Sequence, residues 1–172
     1  MKKLIALFAA VVLVTGLTST VKAQVTGTAT GTATIITPIA ISNSGDMNFG
    51  SIAVSPTLAG TVVLSPAGGR TTGGDGGVKL PAVSETVSAA AFTVTGLGSS
   101  TFSIALPTTY TISDGNSHSM TVNAFTSTPS GAGTLSNGTQ TVNVGATLNV
   151  SAAQVAGTYT NSTGFGVTVN YN

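Results

Sequence analysis

The sequence contains no cysteine and no tryptophan. Without cysteine it forms no disulfide, presents no thiol nucleophile and builds no thiolate metal site. Charge is almost as scarce. Five Lys and Arg with four Asp and Glu make 5% of the 172 residues charged, and there is one His; soluble domains carry about 25% charged residues. No basic patch is available to neutralise phosphates, which excludes nucleic acid as a partner. The acids Asp46, Asp75, Glu85 and Asp114 stand singly, so no paired-carboxylate site is visible. His118 is the lone histidine, beside a turn signal, and one histidine without a carboxylate constellation makes neither a triad nor a metal centre. The glycines of Gly68 to Gly77 lack a following Gly-Lys-Ser/Thr, so they form no phosphate loop. Gly73-Gly74-Asp75-Gly76-Gly77 has a single acid, too few for calcium. The expectation is a non-catalytic protein with no catalytic, cofactor-binding or metal-binding residues.

A long apolar run is also missing. Leu4 to Val14 is apolar without a break, yet shorter than the roughly 20 residues that span a bilayer. Lys2 and Lys3 precede it, and Val21-Lys22-Ala23 offers a cleavage site after it. Residues 1–23 therefore read as a signal peptide, with export and a mature chain starting at Gln24. No second run reaches spanning length, so an integral helical membrane protein is not expected. Cleavage removes Lys2, Lys3 and Lys22 and leaves Arg70 and Lys79 facing four acids, a mildly acidic chain.

Thr, Val, Ser and Gly fill the remainder, the composition of pleated, half-buried surfaces. Short alternating runs are separated by Gly, Pro, Ser and Asn. Strands are expected over Thr32 to Ile41, Thr57 to Leu64 and Ala91 to Thr95. Thr101 to Leu106 alternates with Phe102, Ile104 and Leu106 on one face. Tyr110 to Ser113 and Ser119 to Phe125 flank Asp114-Gly115-Asn116, a hairpin signal. Gln140 to Val150 alternates through Val142, Val144, Ala146, Leu148 and Val150, and Thr158 to Tyr171 closes the chain. Ser65 to Gly77 reads as a Gly-rich loop. Such strands in one domain predict an all-β sandwich or barrel. An outer-membrane barrel would need aromatic girdles, and the chain has three Tyr and six Phe. Residues 24–34 read QVTGTATGTAT, with Val25, Gly27, Ala29, Gly31 and Ala33 on one face. That face suits a strand awaiting a partner, and its glycines equally suit a flexible leader.

The series Ile35 to Ile41, Asp46 to Ile52, Ala91 to Gly96, Val144 to Val150, Ala156 to Thr160 and Val167 to Tyr171 resembles a bacterial family known as domain of unknown function 4402. That family is similar to spore-coat protein U and the chaperone–usher pilins. The resemblance implies a single immunoglobulin-like, pilin-like antiparallel β-sandwich over residues 35–172, after a signal peptide and a 24–34 extension. It implies assembly by strand donation. Val25, Gly27, Ala29, Gly31 and Ala33 would be the donor face, and Phe165, Val167, Val169 and Tyr171 the final-strand face. Phe49 and Gly50 would mark the end of the first strand region.

The expected role is a structural or adhesive protein of the bacterial periplasm, cell surface or exterior, with itself or related subunits as partners. The alternative is a monomeric secreted module that binds glycan or surface polymer through loops such as Ser65 to Gly77.

Overall fold

A computed structural model describes residues 22–82 and 86–172. Most of the expected signal peptide, residues 1–21, lies outside the described residues, as do positions 83–85. The chain divides into two compact units, Met1–Ile35 and Ile36–Asn172. Within the first, residues 24–34 are exposed and belong to no strand. Val25 is 91% exposed.

The second unit is all-β, and no helix occurs among its described residues. Its strands are β1 (Ala40–Gly45), β2 (Ala53–Val54), β3 (Gly60–Leu64), β4 (Arg70–Gly73), β5 (Val78–Lys79) and β6 (Ala90–Thr95). β7 (Thr101–Ala105), β8 (Thr109–Ser113), β9 (Ser119–Thr128), β10 (Ala132–Thr134), β11 (Thr139–Val150) and β12 (Thr168–Tyr171) follow. All pairings are antiparallel.

β11 organises the unit. Its first half pairs with β6 and its second half with β3, while β9 runs along its other edge. β1 extends the sheet beyond β6, β4 beyond β3, and β8 beyond β9, giving seven strands. The switch from β6 to β3 falls at Gly145, where an added Cβ would run into the Leu64 carbonyl. Only glycine lets the two backbones approach so closely. Opposite the large sheet lie a three-stranded sheet, β10-β7-β12, and a two-stranded ribbon, β2-β5.

The alternation explains the packing. Phe102 and Ile104 of β7 point inward with Phe92 and Val94 of β6 and Val142 and Val144 of β11. A second cluster joins Val62, Val78, Val122, Ala146, Leu148 and Val150. Each Val, Leu, Ile or Phe among them contributes about 1.5–3 kcal/mol on full burial. The outward positions of these strands are mostly Thr, Asn and Ser, with Lys79 the one charge among them.

Several expected boundaries move. The first strand begins at Ala40, not Thr32; Pro38 has no N–H to give a ladder. The Gly-rich stretch Ser65 to Gly77 is not all loop, because Thr71 and Thr72 pair with Val63 and Val62 and form β4. The closing strand covers only Thr168–Tyr171. Upstream of it, Gly164 adopts φ 71, the Asn161 side-chain oxygen accepts the Thr163 N–H and its amide donates to the Thr111 carbonyl, which diverts the chain from a ladder.

Candidate functional site: a groove between the two cores

Seven strands on one side are faced by three and two on the other. The covering layers leave part of the large sheet open where the two clusters meet. There a groove of about 1100 Å³ forms. Strand side chains line its base, among them Phe92, Tyr110, Ile112, Met120, Val122 and Leu148. Tyr110, Ile112 and Met120 are only half-buried. Residues 43–54 supply one wall and residues 154–165 the other. Asp46 is the one charged side chain in the lining among the described residues.

The first wall is held by an arginine clamp. Arg70 Nη1 donates to the Phe49 carbonyl at 2.5 Å and to the Ser51 carbonyl at 2.9 Å. Gly50 between them adopts φ 66, and a Cβ there would lie 2.8 Å from Arg70 Nη1 and 2.9 Å from Val87 Cγ2. The Phe-Gly pair singled out in the sequence thus sits in the loop between β1 and β2. Glycine is required there by its positive φ and by the arginine.

The second wall is a strap, residues 151–167, with no strand of its own. Side chains rather than a ladder fasten it. Tyr110 donates its hydroxyl to the Asn161 carbonyl at 2.8 Å, and the Asn161 amide donates to the Thr111 carbonyl at 2.8 Å. Ser113 and Thr160 exchange backbone hydrogen bonds of 2.9 and 2.8 Å. Burial raises the Tyr110 phenol above its ordinary pKa, against a smaller lowering by the Gly164 backbone. Phe165 then turns inward from the strap. Its ring meets Phe92, Tyr110 and Phe125 at centroid separations of 6.0, 5.6 and 5.0 Å.

The residues proposed from sequence divide. Phe165, Val167, Val169 and Tyr171 all pack on the first cluster, and only the last two belong to β12. Val25, Gly27, Ala29, Gly31 and Ala33 are exposed in the other unit. The Ser65 to Gly77 stretch contributes Arg70 to the groove wall through hydrogen bonds but does not line the groove. His118 has a carboxylate partner that its sequence position did not reveal as a pair. Its Nδ1 lies 2.7 Å from Asp114 Oδ2 across the β8–β9 turn. No group of three or more His, Cys, Asp or Glu is placed to hold a metal among the described residues.

Sequence reasoning missed Tyr110, Ile112 and Met120 as site residues. The turn signal between them marks a hairpin, but only the topology shows that no layer covers this part of it.

A family model described as "Domain of unknown function (DUF4402)" matches residues 39–171. No curated protein and no solved structure matches the chain.

Proposed function

The chain belongs to the DUF4402 family, whose description states no activity, and from that premise we propose a non-catalytic structural or adhesive role at the bacterial surface. The protein is exported by its signal peptide and acts as a pilin-like subunit. A neighbouring copy lays its extension, residues 24–34, into the groove as an added strand. The observation that carries this reading is the open, apolar base between two fastened walls, left by a five-strand cover on a seven-strand sheet. An extended strand supplies alternating side chains for that base and backbone groups for its margins. Residues 24–34 alternate, are exposed and form no strand.

The test compares chains spanning 24–172 and 35–172. Ladders of oligomers from the longer chain that vanish in the shorter support strand donation. Two equally stable monomers refute it.

A second reading draws on the polar margin of the same groove. Asn43, Asn48, Gln154, Tyr159, Asn161 and Thr163 offer amides and hydroxyls with almost no charge, a surface for a neutral glycan. Two stable monomers that bind glycan through this groove would establish it.

A further inference from the structure

The groove is already partly filled by its own chain. Phe165 belongs to its lining, and so do Phe92 and Tyr110. The ring of Phe165 stands edge-on against both, at 6.0 and 5.6 Å, contact separations for aromatic pairs. No side chain fits between rings so placed. The strap cannot easily withdraw this ring, since Tyr110 and Asn161 tie it to β8 four residues upstream. The candidate donor asks for little room where Phe165 fills the base. After Val25, its alternate positions Gly27, Ala29, Gly31 and Ala33 are all glycine or alanine.

We infer that Phe165 sets the size limit of the groove, so that it accepts strands with small side chains at alternate positions and rejects those with large ones. The partner is then a second copy of this chain. The inference rests on the strand-addition reading and adds to it a specificity-determining residue.

The test uses the chain spanning 35–172, a compact unit without the extension whose groove no copy can fill with its own residues 24–34, and two fluorescent peptides. One has the sequence of residues 24–35; the other carries Gly27→Leu, Ala29→Leu and Gly31→Leu. The wild-type protein binds the first peptide, and the second is weaker by about tenfold or more, the scale on which overpacking a filled apolar site acts. Phe165→Ala narrows or reverses that ratio, and Phe165→Leu, which keeps the strap anchored by an apolar side chain, gives an intermediate one. Near-ultraviolet circular dichroism of both variants establishes that the sandwich is formed. If both peptides bind the wild-type protein equally, or the leucine peptide binds better, the size limit is overturned and strand addition survives. An unchanged ratio in a folded Phe165→Leu protein overturns the assignment to Phe165. If neither peptide binds, strand addition fails and the size limit fails with it.

Discussion

The hydroxyl of Tyr171 donates to the carbonyl of Thr37 at 2.9 Å. It also accepts the Leu97 N–H at 2.6 Å. One phenol near the end of the chain thereby fixes the start of the folded unit and the turn between β6 and β7. Gly96 leaves the space for it, since a Cβ there would collide with the Tyr171 hydroxyl.

Tyr171→Phe keeps the ring on the first cluster and removes both hydrogen bonds. Each such bond is worth about 0.5–1.5 kcal/mol net, and Leu97 and Thr37 are exposed enough for water to replace part of the loss. The variant is expected to lose about 1–2 kcal/mol. Urea unfolding should show a lower midpoint at an unchanged slope. A midpoint equal to wild type would mean that the two bonds contribute nothing to stability.

Gly145→Ala tests the pivot of the large sheet. The added methyl would meet the Leu64 carbonyl and the backbone of Ser65, and neither can swing aside without opening the β3–β11 ladder. Overpacking against backbone exceeds the about 1–3 kcal/mol typical of side-chain crowding. The expected result is a protein that fails to fold or melts far below wild type by circular dichroism. Ordinary stability would show that β11 bends elsewhere.

The contrast between these two residues shows what was legible in the sequence. The strict alternation of Thr101 to Leu106 and of Gln140 to Val150 fixes which side chains are inside, because burial has period two on a strand. The structure buries Phe102, Ile104, Val142, Val144 and Leu148 accordingly. The Asp-Gly-Asn signal likewise marks the β8–β9 turn, with Gly115 at φ 77. What alternation does not encode is the partner. Nothing local announces that β11 changes neighbour at Gly145, or that two layers fall short of covering Ile112 and Met120. The groove is a property of sheet order, set by contacts far apart in the chain. The strap reads as strand in the sequence because its alternating Phe165 and Val167 do face inward, while Asn161 accepts the Thr163 and Gly164 N–H groups locally.

Asp114 makes the hairpin acid-sensitive. Burial pushes its carboxyl up, but the hydrogen bond with His118 and those from the Asn116 and His118 amides outweigh it, so its pKa lies below the ordinary carboxylate value. A lowered folded pKa contributes stability that is present above the unfolded value and lost as the pH falls through the folded one. Asp114→Asn should therefore be less stable than wild type at neutral pH, with the gap closing as the pH drops below the ordinary carboxylate range. Thermal melts of both proteins across that range decide it. A gap that stays constant with pH would show that the loss comes from the turn geometry and not from ionisation.

Tyr110 gives the opposite window. Its phenol donates to the Asn161 carbonyl and holds the strap on β8. Burial raises its pKa, the Gly164 backbone hydrogen bond opposing in part. A raised folded pKa contributes stability that is complete below the unfolded phenol value, about 10, and is lost as the pH rises through the folded one. Ionisation also deletes the donor, so the strap should loosen in alkali before the sandwich melts. Ultraviolet difference titration should show a phenol ionising above the ordinary range, and Tyr110→Phe should abolish that late step. Amide exchange at Ser113 and Thr160, whose backbone bonds close the strap onto the strand, should quicken over the same interval in the wild type. In Tyr110→Phe it should be fast at neutral pH and no longer follow the phenol titration. A late step that persists without Tyr110 would place the buried phenol elsewhere. Slow exchange at both amides through the titration would show that Asn161 and the Ser113–Thr160 bridge hold the strap without it.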